Sequence, residues 1–320
     1  MFFSSGRSTG REPPSSSTFS RRRRSSCAKG RCEVGEGPKV SFGALDTVWV
    51  QVTGTLCNIA CRHCFVSAGP KSTSIAVMSR GEVEAALDEA VELGARDAYY
   101  TGGEPFMHPE IRALVDLALE RMPLTVLTNA LLIDDDLAGW IGDRFARSRY
   151  SFDIRVSLDG ATADLNDRVR GRGVYDRVVE ALRRLARAGV TPVVTVVEHE
   201  DSLKSARART EFAEFLRALG FQRPRIKFLP LLRIGREERR TRGYLERERL
   251  GPEPIAPEIE ESLICSTSRT VTARGVWTCP ILVEVPEARL GDSLRQAGHE
   301  ISLNWRACHT CVAEGLRCAT

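Results

Sequence analysis

The fold of this chain is decided by Thr55-Leu56-Cys57-Asn58-Ile59-Ala60-Cys61-Arg62-His63-Cys64-Phe65, where three cysteines fall at C-x3-C-x2-C. Thiolate is the soft ligand that iron–sulfur clusters require, and three in one short loop can hold three irons of a cubane. A [4Fe–4S] cluster takes four ligands, so its fourth iron would stay open to bind and reduce a further molecule. A three-ligand zinc knuckle, or a set of buried reduced cysteines, would also account for the loop alone.

Outward from the loop the texture is regular. Val48, Val50 and Val52 alternate with Trp49 and Gln51 just before it, the period of a strand. Behind it, Ser79-x-x-Glu82 is a capping box opening a helix with Val83, Ala86, Leu87, Ala90 and Val91 on one face, closed at Gly94. Ala98 to Tyr100 is a second strand running into Thr101-Gly102-Gly103-Glu104-Pro105. Pro109 opens a helix, and Leu124 to Leu127 is a strand ending in Thr128-Asn129. A helix through Leu137, Trp140, Ile141 and Phe145 leads to a strand, Phe152 to Val156, ending in Ser157-Leu158-Asp159-Gly160. A helix closed by Gly189, the strand Pro192 to Val197, a helix ending at Gly220 and the strand Arg225 to Leu229 complete the series. Strands alternating with helices make parallel βαβ units, and the polar signatures all follow strand C-termini. The expected fold is α/β, a (β/α)6 partial barrel with the cysteine loop after its first strand. No G-x-G-x-x-G follows a strand, which argues against a dinucleotide fold.

The C-x3-C-x2-C loop, Gly102-Gly103-Glu104-Pro105, and Ser157-Leu158-Asp159-Gly160 with Arg168-Val169-Arg170-Gly171 behind it together resemble the radical S-adenosylmethionine (radical SAM) superfamily over residues 46–230. The resemblance implies that Cys57, Cys61 and Cys64 ligate a [4Fe–4S] cluster whose open iron is chelated by S-adenosylmethionine. Reductive cleavage then gives a 5′-deoxyadenosyl radical that abstracts hydrogen, so the cofactors carry the hard chemistry. It implies that Gly102, Gly103 and Glu104 meet the methionine amino group, and that Ser157 with Arg168 or Arg170 meets its carboxylate, a bidentate task suited to arginine. Asn129 and Asp159 are expected near the ribose, and His63 and Val196 on either side of the adenine. An electron donor such as flavodoxin or ferredoxin is implied as a partner.

Five further cysteines follow: Cys265, Cys279 across a hairpin turning at Gly275, then Cys308, Cys311 and Cys318. They resemble a twitch subdomain, a shortened SPASM domain, which implies one auxiliary [4Fe–4S] cluster on Cys265, Cys279, Cys308 and Cys311, with Cys318 spare or exchangeable. A zinc site from the same ligands is the alternative. An auxiliary cluster can accept an electron from a substrate radical and so complete an oxidation. No cysteine lies between Phe65 and Ile264 to return a hydrogen atom, which favours oxidation over epimerisation. The size and layout resemble small twitch enzymes of natural-product biosynthesis, implying dehydrogenation of a small-molecule sugar or aminocyclitol unit. Epimerisation of a similar substrate and maturation of a ribosomal peptide are the alternatives. A scaffold or redox sensor would have no use for the Gly-Gly-Glu-Pro and Ser-Leu-Asp-Gly set. Glu198, His199 and Glu200 at the end of the fifth strand are candidates to meet substrate amino or hydroxyl groups, or else solvated loop residues. Arg225 and Lys227 on the sixth are candidates to point inward toward an anion.

The rest bounds the function. Of 46 Lys and Arg, nine fall in residues 1–40 against three Glu, so the remainder is nearly neutral and no nucleic-acid partner is expected. Residues 1–42, rich in Ser, Arg and Gly, are expected to be a disordered basic tail, with a transit peptide as the lesser alternative and with Cys27 and Cys32 as bystanders. The partial barrel is placed at 43–232, a charged connector at 233–264 whose Arg236–Arg249 run is expected to be solvated, and the auxiliary subdomain at 265–320. No apolar run approaches 20 residues, no membrane association is expected, and clustered thiols suit a cytoplasmic protein.

Overall fold

The computed structural model describes residues 37–317; expectations for Cys27, Cys32, the four arginines 21–24 and Cys318 lie outside them. Its first element is a strand, β1 (Lys39–Val40), inside the stretch expected to be tail. It pairs antiparallel with Ile301–Ser302, and Val40 is fully buried beside Leu263, Cys265 and Ile301. Two residues with a partner so distant in sequence leave no local period to detect.

The elements that follow are β2 (Thr47–Gln51), α1 (Arg80–Glu92), β3 (Asp97–Thr101), α2 (Ile111–Leu119), β4 (Leu124–Thr128), α3 (Asp135–Arg147), β5 (Phe152–Ser157), α4 (Ala163–Arg170), α5 (Val174–Arg187), β6 (Val193–Glu198), α6 (Ala206–Ala218) and β7 (Arg225–Pro230). Strands β2 to β7 lie side by side in chain order and all parallel, the six-stranded (β/α) array the alternation implies. The capping box holds at α1: Ser79 Oγ accepts from Glu82 N at 3.3 Å, and Ser79 N donates to Glu82 Oε2 at 2.7 Å. Helix α2 starts two residues after the expected Pro109, because a single 3₁₀ turn, Pro105–Met107, is capped first by Glu104.

Strand alternation sorts the side chains between two layers. Val48, Val50 and Val52 point outward into the main core with Leu87, Ala98 and Val126. Trp49 points to the other side, where it stacks on Tyr99 with ring centroids 4.3 Å apart. Burying each such valine stabilises the fold by about 1.5–3 kcal/mol, so this layer fixes which face of every strand looks into the barrel.

The chain then runs through two short helices, α7 (Arg236–Thr241) and α8 (Pro257–Ser262), to β8 (Ser268–Thr272), β9 (Gly275–Trp277), β10 (Arg289–Gly291), β11 (Ile301–Ser302) and α9 (Cys308–Ala313). Strand β8 pairs parallel with β2 on the side away from β3, and β9 and β10 follow antiparallel. The cysteine-bearing hairpin thus extends the barrel sheet itself, to nine strands. Arg225, expected to point inward, is instead exposed at the foot of β7 and forks onto Asp153 of β5 at 2.6 and 2.8 Å. No described helix is long and apolar enough to cross a membrane.

Candidate active site

Strand β2 delivers the chain into the cysteine loop, and several contacts close the loop at its base. Leu56 bridges to Gly69, Cys57 N donates to Gly69 O at 3.2 Å, and Gly69 N donates to Thr55 O at 3.0 Å. From the far side α7 reaches in. Arg236 Nε donates to Cys61 O at 2.8 Å, its Nη1 to Ser67 O at 3.1 Å, and its Nη2 to Ala68 O. Gly235 just before it has φ +62°, and a Cβ there would meet Phe65 O at 2.3 Å, so only glycine lets α7 approach this closely. Arg236 therefore clamps the loop and is not part of a solvated run; Glu237 beside it is wholly buried. Composition concealed both, since the segment is nearly all Arg and Glu.

Cys57, Cys61 and Cys64 line one cavity of about 230 Å³ with Gly102, Gly103, Asn129, Ser157 and Arg170. Gly103 is required there: a Cβ would stand 2.1 Å from Leu56 O, so the bare backbone of the β3 exit can run against the cysteine loop. Burial pushes the Cys57 thiol up to about 12 and the Cys61 thiol to about 11. An empty site thus keeps its protons, and metal must displace them. Among the described residues no three His, Cys, Asp or Glu side chains converge on a point that could hold one metal ion. Three thiols on one cavity beside Gly102, Gly103, Ser157 and Arg170 are the soft donor set that a [4Fe–4S] cluster with one open iron requires.

Behind the lining stands a buried charge cluster. Asp159 has no solvent exposure; Arg170 Nε lies 2.7 Å and His63 Nε2 3.0 Å from its Oδ2, while Val197 N donates to its Oδ1 at 2.8 Å. Burial pushes the Asp159 carboxyl up, but Arg170 and His63 outweigh it and hold it below the usual carboxylate range. Asp159 therefore faces Arg170 and His63 and is not among the cavity-lining residues; it sets Arg170 in place.

The other expected residues divide. Glu104 is fully buried, accepting from Thr128 Oγ1 at 2.7 Å, Phe106 N at 3.1 Å and Asn129 N at 2.7 Å. Its carboxylate braces the β3 and β4 exits and does not face the cavity, and burial raises its pKa to about 7. Asn129 Nδ2 donates to Asn58 Oδ1 at 2.7 Å and approaches Cys57 Sγ at 3.6 Å, so it is tied to the cysteine loop. Arg168 is half-exposed and pairs with Asp164 and Glu200, whereas Arg170 lines the cavity. Val196 is wholly buried in the outer core; its neighbours Thr195 and Val197 line the cavity instead. Glu198 pairs with Arg209, Glu200 with Arg168, and His199 Nε2 is 3.1 Å from Asp159 O, so all three are engaged within the protein. Sequence reasoning missed Asn58, Thr195, Val197, Leu229 and Arg236; Thr195, the one polar residue in Val193–Val197, was the available signal.

The second cysteine set is built differently. Cys265 sits in a 3₁₀ turn before β8, Cys279 just after β9, and Cys308 and Cys311 one turn apart on α9. Burial pushes the Cys308 thiol well up, helped by the nearby Cys279 and Cys265. Burial likewise raises Cys279 to about 11. Arg269, fully buried, donates to the backbone of Cys265 at 2.7 Å.

Residues 52–199 match the radical SAM superfamily. Over 138 residues the chain is 36% identical to the mycofactocin maturase MftC of Mycobacterium tuberculosis, 43% of this chain and 34% of that protein. The chain thus spans about a third of the length of this curated relative. The fold resembles Streptococcus suis SuiB bound to precursor peptide SuiA, with TM-score 0.60 and 15% identity over 81% of this chain and 65% of that one. It also resembles anSMEcpe with bound AdoMet, with TM-score 0.58 and 14% identity over 78% of this chain and 79% of that one.

Proposed function

Because residues 52–199 form a radical SAM domain, we propose that the chain is a radical SAM maturase that oxidises a peptide. The carrying observation is the single cavity in which three thiols face Gly102, Gly103, Ser157 and Arg170. When bound there, a [4Fe–4S] cluster and S-adenosylmethionine supply an organic radical able to take hydrogen from an unactivated C–H bond. Cys57, Cys61 and Cys64 would hold the cluster. The backbone at Gly102 and Gly103 would receive the amino end of the methionine moiety, and Ser157 and Arg170 its carboxylate. Asp159 orients Arg170, and Arg236 keeps the loop closed. A second cluster on Cys265, Cys279, Cys308 and Cys311 would take the electron that a two-electron oxidation leaves over, and a flavodoxin or ferredoxin would supply the priming electron.

The peptide substrate is supported by the relatives, one named a maturase and one bound to a precursor peptide. Dehydrogenation of a sugar or aminocyclitol, favoured by the sequence, has no comparable support. The test is anaerobic reconstitution followed by dithionite, S-adenosylmethionine and a short peptide encoded beside the gene. The expected result is 5′-deoxyadenosine together with a peptide lighter by a pair of hydrogens. Absence of 5′-deoxyadenosine would remove the enzyme reading; its presence with an oxidised aminocyclitol and an untouched peptide would restore the sugar.

A further inference from the structure

Below the thiol-lined cavity lies a second one, of about 110 Å³, inside the barrel. The two share Phe65, Val66, Thr101, Gly102, Leu127, Thr195 and Leu229, so they adjoin. The floor is the stack of Trp49 on Tyr99, with the Arg155 guanidinium 5.0 Å from the Tyr99 ring centre. Four of its lining residues carry an unusual set of polar atoms. Trp49 Nε1, Gln51 Oε1, Thr195 Oγ1 and Thr270 Oγ1 are buried, and none has a hydrogen-bond partner in the protein. Trp49, Gln51 and Thr270 are all at least 98% buried. Gln51 uses its Nε2 on Gly54 O at 3.1 Å, which leaves its Oε1 turned to accept.

Buried polar groups are nearly always paired, and an unpaired one is destabilising. Four around one cavity, adjoining a site for radical chemistry, call for an occupant that completes them. The set offers an indole N–H donor, a carbonyl acceptor and two hydroxyls that serve as either. An amide has the matching pattern: one carbonyl to accept and one N–H to donate. Arg155 and Thr101 also line the cavity, the Arg155 guanidinium lying over the Tyr99 ring and donating to Tyr99 Oη at 3.3 Å. Leu127, Leu229, Pro280 and Val283 give an apolar stretch that suits the carbon stem of such a group. We propose that this cavity is a substrate subsite that takes an amide group of the peptide, seating it beneath the cofactor pocket. This rests on the peptide-maturase reading and adds to it the chemistry by which the substrate is held.

The test uses N-acetylglycinamide as the amide probe and sodium acetate as the comparison, with the full-length reconstituted protein. Saturable quenching of tryptophan fluorescence by the amide at millimolar concentration is expected, and a crystal soaked in it should show the amide against Trp49 and Thr270. Thr270→Val and Trp49→Phe should each weaken binding about tenfold, the effect of losing one well-made hydrogen bond. Thr270→Val should leave the melting temperature unchanged, because it removes only a hydroxyl without a protein partner. Trp49→Phe also empties part of the ring stack on Tyr99 and is therefore read by binding, not by melting. Ordered waters alone in the soaked crystal, acetate preferred over the amide, or variants that melt lower with binding unchanged would each overturn the subsite. Substrate-free formation of 5′-deoxyadenosine by the wild-type protein reports on the radical reading by itself. Activity there without amide binding removes the subsite only, and amide binding without activity removes the radical reading only.

Discussion

The two cysteine sets are held in opposite ways. Cys57, Cys61 and Cys64 stand on a loop clamped by Arg236 and open onto a cavity with Ser157 and Arg170. Cys265, Cys279 and Cys308 are buried in packed cores, Cys279 in the same one as Cys57, but that cavity does not reach them. The charges nearby differ accordingly. Arg170 beside the first set lines the cavity and stays available to a carboxylate, while Arg269 beside the second spends its guanidinium on the backbone carbonyls of Cys265, Ser268, Ala297 and His299. An open set leaves room for a further ligand beside it; a closed one does not.

That contrast is easiest to break at the ligands. Cys57→Ala should abolish 5′-deoxyadenosine formation outright, whereas Cys279→Ala should keep a cluster that still responds to S-adenosylmethionine. Both should lower iron from about eight to about four per chain, since each [4Fe–4S] cluster carries four irons. Iron counts together with 5′-deoxyadenosine assays distinguish the two; equal loss of 5′-deoxyadenosine would mean that the sets do not divide the work. Next in size is Asp159→Asn. It strands the Arg170 charge in a site where both partners are more than 90% buried, and breaking a buried pair typically costs about 3–5 kcal/mol. Urea denaturation should show that loss, and Arg170→Met in the same background should recover part of it by removing the orphaned charge.

How much of this was legible follows from how local each signal is. The C-x3-C-x2-C spacing, the capping box at Ser79 and the glycine pair at Gly102 sit within a few residues of what they do, and each could be read directly. Val196 was misplaced because Val193–Val197 is apolar but for Thr195, so parity rests on that one residue; the register with Ser157 and Lys227 decides it, placing Thr195 inward. Glu104 was assigned by motif, but burial and three donors turned it into the protein. Arg236 lies 172 residues beyond Cys64, whose carbonyl its backbone N–H reaches at 3.0 Å. A charged run gives no sign that one of its members folds back.

Arg236 tests the clamp on the open set with a smaller effect. Arg236→Ala leaves the carbonyls of Cys61, Ser67 and Ala68 without their charged donor, at a cost of about 2 kcal/mol for hydrogen bonds of this kind. The melting temperature should fall and the KM for S-adenosylmethionine rise, with the Cys265–Cys279–Cys308 set keeping its iron. A fall in iron at both sets would show that the loop and the hairpin do not stand independently.

The smallest effect is a pH dependence confined to the open side. Burial pushes the His199 pKa below its ordinary 6.5, so the folded protein keeps the ring neutral. The unfolded chain therefore takes up the proton first. Stability is complete above about pH 6.5 and declines as the pH falls through the lowered folded value. Asp159 adds a separate loss at lower pH: held below the usual range, it contributes above about pH 4 and loses that contribution as it protonates. Glu104, raised to about 7 by burial, works against the first loss, because it stabilises the folded protein as the pH falls from about 7 toward 4.5. In denaturation midpoints against pH the His199 limb is therefore read as the difference between the wild type and His199→Gln, and a steeper fall follows below about pH 4. His199→Gln, which can still donate to Asp159 O, should erase the first limb and leave the second. If both limbs vanished together, His199 and Asp159 would titrate as one unit, and the charge cluster behind the open set would be a single switch instead of a fixed pair with a neutral neighbour.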